Sequence, residues 1–266
     1  MVAAKILVFI PMYKCAAQIP RVIAQLDEAS FELIDKVILV DNGSPDGTID
    51  AARAALASWP IDRYAILRNR QNYSLGGSHK VAFNYALDHG YSHVIVFHGD
   101  DQGNIQDLWG PIRAGDHQRY DCLLGARFMK GSSLKGYSPF RIFANYISNG
   151  LFSIATQRVI TDLGSGLNLY AMLALASRRY LRYSDTLNFN HFMLLGSIAA
   201  GDRVRFVPIS WREEDQVSNV QLTRFARLTM MVLLSYVFAR RSLLERDHSA
   251  RRDGIYEFDL MAGQEG

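Results

Sequence analysis

Apolar runs that each stop at a polar, turn-rich segment set the rhythm of this chain. Lys5 to Pro11, Lys36 to Val40, Tyr64 to Leu67 and Ser92 to Phe97 are dominated by aliphatic and β-branched residues, the pattern of short strands buried on both faces. Between them, apolar residues recur at helical spacing. Ile19, Val22, Ile23 and Leu26 predict one helix, a cap at Asp46 or Thr48 starts a second through Ala57, and Lys80 to Asp88 forms a third. Strands alternating with helices predict an α/β architecture built on a mostly parallel sheet.

The run at Ser92 reads SHVIVFHGDDQ and ends in two adjacent acids, Asp100 and Asp101. In open α/β sheets the carboxyl ends of the strands are where ligands bind. Neighbouring carboxylates repel, and a divalent cation with a preference for oxygen relieves that repulsion. The competing reading gives Asp100 or Asp101 a plain structural task, capping a helix over Ile105 to Ile112.

Composition narrows the choice. With 266 residues, 49% of them hydrophobic and 21% charged, the chain can bury a large core, and a net charge of +3 is too small to imply a nucleic-acid partner. Cys15 and Cys122 lack metal-site spacing and are expected to be structural thiols in a reducing, cytoplasmic setting. Lys5 and the apolar residues after it read as a first strand and not as a leader, and no apolar run reaches the length of a membrane span. Gly76 and Gly77, just before the third helix, would let backbone N–H groups approach a phosphate. They fit neither a Walker loop nor a dinucleotide fingerprint, so a nicotinamide cofactor is unsupported.

Several motifs in sequence order carry a resemblance. Ile10-Pro11-Met12-Tyr13, Val40 to Thr48 (VDNGSPDGT), Leu75-Gly76-Gly77 and Gly99-Asp100-Asp101-Gln102 are similar to the nucleotide-sugar half of family 2 glycosyltransferases, which have the GT-A fold. Leu124 to Phe128 (LGARF), Arg141, Val159 to Leu167 and Val207 to Arg212 (VPISWR) resemble the polyprenyl-phosphate branch of that family, the dolichol-phosphate mannose synthases.

The resemblance implies an inverting, metal-dependent sugar transfer from a UDP- or GDP-linked donor to a polyprenyl phosphate. It implies donor contacts from Pro11, Tyr13, Asp41, Gly76, Gly77, Asp100 and Arg212, and acceptor contacts from Arg127, Arg141 and Ser165. Mn2+ or Mg2+ would be held by Asp100 with Gln102 and His98, and Asp100, Asp101, Arg127 and Arg141 would form the catalytic set. Two guanidinium forks converging on a phosphate would orient an acceptor that is already ionised and needs no base. A glycan hydroxyl as acceptor would need one, with Asp101 or Asp162 as candidates.

Departures from the family pattern matter too. Lys14 and Cys15 stand where Asn and Glu are usual, and His98 opens what is commonly an Asp-x-Asp motif. An imidazole suits manganese better than magnesium. Such losses would also fit a relative that binds a nucleotide sugar without turning it over.

The expected organisation is a catalytic domain over 1–222 and an extension over 223–266. Within the extension, Thr223 to Leu244 predicts a helix whose apolar part, Thr229 to Ala239, covers about half of a bilayer's hydrocarbon thickness. Flanked by arginines, it would suit the inner membrane surface as a peripheral anchor, packing on the core, or a homodimer interface. Beyond Glu245 the polar, basic tail is expected to fray, with Gly263 to Gly266 mobile.

Overall fold

The computed structural model describes residues 4–215, 222–251 and 253–265. In chain order the elements are β1 (Ile6–Met12), α1 (Ile19–Ile23), β2 (Lys36–Asp41), α2 (Thr48–Ala55), β3 (Tyr64–Asn69), α3 (Ser74–Asp88) and β4 (His93–Phe97). There follow α4 (Trp109–Arg113), α5 (Asp116–Arg119), β5 (Cys122–Ala126), β6 (Ser133–Lys135), α6 (Pro139–Thr156), β7 (Leu167–Ala171) and α7 (Met172–Leu175). The chain closes with α8 (Phe189–Ala200), β8 (Val204–Pro208), β9 (Ser210–Arg212), α9 (Leu222–Glu245) and β10 (Phe258–Gly263).

Eight strands form one sheet in the order β10-β3-β2-β1-β4-β7-β5-β8. The first four strands in sequence pair in parallel, whereas β7 runs antiparallel between β4 and β5, and β10 runs antiparallel along β3. Every residue of β2 and β4 is buried, as unbroken apolar runs require. Their alternate side chains feed two cores, one on each face. Phe9, Val40 and Val96 pack beneath α3 and α8, while Val8, Leu39 and Ile95 pack beneath α1, α2 and α4. The parallel strands therefore end along one edge of the molecule, each delivering a polar loop there.

Three sequence expectations need correction. The helix expected from Lys80 begins at Ser74, so Gly76 and Gly77 lie inside its first turn and not ahead of it. The helix after the paired acids is capped by Asn104, whose side chain accepts the Gln106 N–H, and by neither Asp100 nor Asp101. The tail does not fray as a whole, because Phe258–Gly263 is the edge strand of the main sheet. Arg252 and Gly266 fall outside the described residues.

The tail is pinned further in by a buried charge. Lys80 of α3 is inaccessible to solvent, and its ammonium donates to Asp185 Oδ1 (2.5 Å), the Tyr183 carbonyl (2.6 Å) and the Tyr256 hydroxyl (3.0 Å). Tyr256 donates to the same carboxylate oxygen at 2.8 Å, and Asp185 Oδ2 accepts the Ala250 N–H at 2.7 Å. Burial drives the Lys80 pKa down, and the ion pair with Asp185 opposes that shift.

Candidate active site

The loops after β1 and β2 are stitched together by short polar side chains. Backbone N–H groups of Lys14 and Cys15 donate to Ser44 Oγ (3.0 Å) and Thr48 Oγ1 (3.1 Å). Asp41, fully buried at the end of β2, accepts the N–H groups of Gly43 and Ser44 and lies 3.7 Å from Arg68. The carboxylate is thus a turn builder with a cation beside it. Tyr13 stays 42% exposed at the rim, under the Lys14 ammonium, which is 5.4 Å from the ring centroid. Both thiols are free and buried, and burial lifts Cys15 and Cys122 to about 12, so neither supplies a thiolate.

A ladder of asparagines continues this rim. Asn69 donates to Asn42, Asn42 donates to Asn72, and Asn42 also accepts the Tyr73 N–H. Sequence reasoning passed over these residues. The usable signal was an amide at the end of two neighbouring parallel strands.

After β4 the paired acids part company. Asp101, with a left-handed backbone (φ 59°), turns into the protein, where it is 1% exposed. Its oxygens are taken by Arg21 Nε (2.7 Å), Gln25 Nε2 (3.1 Å) and the Arg212 guanidinium, and Arg212 also donates to the Asp101 carbonyl at 3.0 Å. An acid so held is an anchor and is closed to the catalytic role expected of it. Asp100 points the other way, 38% exposed, with Oδ1 accepting the Gln102 N–H at 3.3 Å. Burial of the loop, reinforced by Asp101, lifts Asp100 to about 6.

His98 Nδ1 lies 4.0 Å from Asp100 Oδ2. Burial, then the nearby Arg127 charge, pushes His98 down to about 4, so the ring is neutral near pH 7. Its Nε2 is buried without a protein partner among the described residues, close to the edge-on ring of His79. Among the described residues no cluster of three or more His, Cys, Asp or Glu side chains could hold a metal by itself. Such a donor set would suit a cation that drew its remaining ligands from water and from a bound diphosphate, Asp100 being the open carboxylate and His98 the neutral imidazole beside it. Gln102 contributes its backbone, donating to Asp100 and accepting the Arg212 N–H at 2.9 Å.

On the other side, Arg127 is sheathed by Phe128 and Trp211, its guanidinium 5.1 Å from each ring, and grips Asp162 through Nε (2.7 Å) and Nη2 (2.8 Å). Arg141 stacks on Tyr137 and donates to Glu213 at 2.6 Å. The structure brings the two arginines into one aromatic cluster, but each fork already faces a carboxylate, so they are not the free, converging pair expected. The Trp211 indole N–H is buried here without a partner among the described residues, a group to which the VPISWR motif gave no role. Ser165 is buried and spends its hydroxyl on the Leu167 carbonyl (3.0 Å), which removes it from the acceptor set.

Gly76 and Gly77 are likewise reassigned. The Gly76 N–H donates to the Asp185 carbonyl at 2.7 Å, and a Cβ there would sit 2.5 Å from the Ser184 carbonyl oxygen. At Gly77 a Cβ would strike Tyr73. These glycines allow close helix packing, and the Gly76 N–H is already taken. Gly76→Ala is expected to cost about 1–3 kcal/mol, read as a lower urea midpoint, and an unchanged midpoint would contradict the packing assignment.

Residues 7–182 match the family model described as "Glycosyl transferase family 2". The chain belongs to that family. It is 25% identical over 164 residues to the polyprenol monophosphomannose synthase of Mycolicibacterium smegmatis, spanning 62% of this chain and 60% of that protein. It is 24% identical over 219 residues to the undecaprenyl-phosphate mannosyltransferase of Micrococcus luteus, spanning 79% and 85% of the two chains. Among solved structures, glucosyl-3-phosphoglycerate synthase from Mycobacterium tuberculosis in complex with UDP aligns with a TM-score of 0.60 at 17% identity, over 88% of this chain and 80% of that one. A complex of the same synthase with Mn2+, UDP and glucosyl-3-phosphoglycerate aligns at 0.62 and 15% identity, over 98% and 88%.

The sheet and its flanking helices are therefore those of a GT-A glycosyltransferase, as the motif order implied. Within family 2, the turn at Val40 to Thr48 and the loop His98 to Gln102 lie at the ends of the neighbouring parallel strands β2, β1 and β4.

Proposed function

We propose that this family 2 member transfers a sugar from a nucleoside diphosphate sugar to a polyprenyl phosphate, with inversion at the anomeric carbon. The supporting observation is the state of the carboxylates. Asp101, Asp162, Glu213 and Asp215 each face an arginine, and Asp100 keeps an open oxygen. A hydroxyl acceptor needs a base to take its proton, and the two acids suited to that task are locked. A phosphate acceptor arrives ionised and needs none. The two mannosyltransferase relatives, named for polyprenol and undecaprenyl phosphate, support the same acceptor class.

In this reading Tyr13 and Asp41 line the nucleoside end of the donor, with Pro11 shaping the turn by accepting the Gly99 N–H. Asp100, with His98 alongside, would hold Mn2+ or Mg2+, which when bound would neutralise the charge gathering on the departing diphosphate. Arg212, held against Asp101 yet 40% exposed, presents its remaining face to that diphosphate. Trp211 and Arg127 form the floor between donor and acceptor. Arg141 binds the acceptor phosphate by exchanging Glu213 for it.

That exchange makes a prediction. Glu213→Gln is expected to lower the KM for the acceptor by roughly threefold to fivefold, the scale of one partly exposed charge contact, without changing donor affinity. Initial rates at varied acceptor concentration measure it, and a raised acceptor KM would reverse the assignment.

The reaction itself is tested with radiolabelled UDP- and GDP-sugars, undecaprenyl phosphate and Mn2+ or Mg2+. Label that moves into the organic phase and is released by mild acid is the expected product. Label that stays in water on a glycan would replace the acceptor. Donor binding without transfer under every metal would favour the non-catalytic relative that His98 also suits.

A further inference from the structure

Two buried imidazoles lack a partner on the same ring atom. His79 of α3 is 1% exposed, and its Nδ1 lies 2.8 Å from the Leu75 carbonyl one turn back. A carbonyl oxygen only accepts, so Nδ1 carries the ring proton and Nε2 is left as a bare lone pair. That nitrogen is buried without a partner among the described residues. Around the ring stand Phe9, Phe83 and Phe189, with centroids 5.2, 5.9 and 5.1 Å away, and His98 at 6.0 Å. Of these four neighbours only His98 has a ring N–H to donate. A second proton on His79 would set an unpaired charge in that aromatic cage, at a large desolvation cost.

His98 mirrors it. Its side chain is 16% exposed, yet its Nε2 is buried and unpartnered among the described residues, while Nδ1 lies 4.0 Å from Asp100 Oδ2. The ring is held in place by Gly166, whose carbonyl accepts the His98 N–H at 2.9 Å and where a Cβ would sit 2.6 Å from His98 Cγ. A neutral imidazole has one proton to place. On Nδ1 it would leave the lone pairs of His79 and His98 confronting each other among aromatic rings. On Nε2 it meets the His79 lone pair, and the free electrons of Nδ1 lie on the Asp100 side.

We propose that His79 is a positioning residue that fixes the tautomer of His98, accepting its Nε2–H so that the Nδ1 lone pair lies beside Asp100. The rings must draw together slightly for this, since no hydrogen bond joins them as they stand. A lone pair and a carboxylate so placed repel each other until a cation is shared between them. The imidazole buried behind the ligand orients it, as outer partners of metal-binding histidines do. This deepens the proposed function: it rests on the reading of Asp100 and His98 as the cation site and not on the acceptor.

The tautomers are observable in the 15N spectrum of the full chain carrying labelled histidine, without added metal, with signals assigned through His79→Phe and His98→Ala. Expected are His98 protonated on Nε2 and His79 on Nδ1. Mn2+ binding in the presence of UDP or GDP, followed by loss of the free-ion paramagnetic resonance signal, should weaken by about 10–100-fold in His79→Phe. Phenylalanine fills the same cage, so the melting temperature should stay within a few degrees of wild type. Combining His79→Phe with His98→Ala should weaken Mn2+ no further than His98→Ala alone, because His79 acts only through His98. A proton on His98 Nδ1, wild-type Mn2+ affinity in His79→Phe, or losses that add in the double variant would overturn the proposal. Wild type with the expected tautomers that binds no Mn2+ with either nucleotide would instead count against the cation site and leave the tautomer assignment standing.

Discussion

Asp100→Asn is expected to lower turnover by about 10²–10³-fold, the range seen when one group stabilising developing charge is removed, while leaving the melting temperature unchanged. The amide keeps the size of the side chain and an oxygen for the Gln102 N–H, so the loop has no reason to move. What disappears is the negative charge in the only open carboxylate of that loop. The stabilisation of wild type by UDP or GDP in the presence of Mn2+ should vanish with it. A variant that still binds nucleotide in a metal-dependent way would move the cation elsewhere.

The second large effect lies on the far side of α3. Asp185→Ala is expected to destabilise the protein by about 3–5 kcal/mol, because it strands a Lys80 ammonium that has no path to water. The same change removes the acceptor of the Tyr256 hydroxyl and of the Ala250 N–H, so amide exchange should accelerate across 250–263 before it does elsewhere. Removing both charges, as in Lys80→Met/Asp185→Leu, should recover much of the loss, since the cost comes from the unpaired charge. If urea midpoints showed the double variant no more stable than the single one, the ion pair would not be what holds the tail.

Much of the framework was legible because its signals are local. An apolar run that ends in Asp100, or an octet of turn formers after Val40, needs no distant partner to be read. Legibility fails where the decisive contact is remote. Asp100 and Asp101 are equivalent in sequence, and what separates them is a pair of arginines 80 and 111 residues away. Ser165, Gly76 and Gly77 matched family motifs, but the hydrogen bonds and close packing that occupy them come from the fold.

One miss has a compositional cause, and one helix was not anticipated at all. The segment Phe258–Gly263 is only partly buried, as befits an edge strand, so it lacks the dense apolar run that marked the inner ones. Helix α6 carries a strong apolar stripe, and the usual inference from such a stripe is a buried face. Here that inference points the wrong way, because the stripe faces outward.

The pairing of β10 with β3 also bears on how the chain assembles. Every other described strand of the main sheet precedes α9, so the edge of β3 stays open until β10 has been made. Its free N–H and C=O groups are then a template for any extended segment nearby. Closing that edge pairs residues 258–263 with residues 65–69, a long-range contact of the sort that slows folding. β10 therefore covers the flank of β3 and leaves in its place a short outer strand whose register breaks between Leu260 and Ala262, a poorer template for a stray chain.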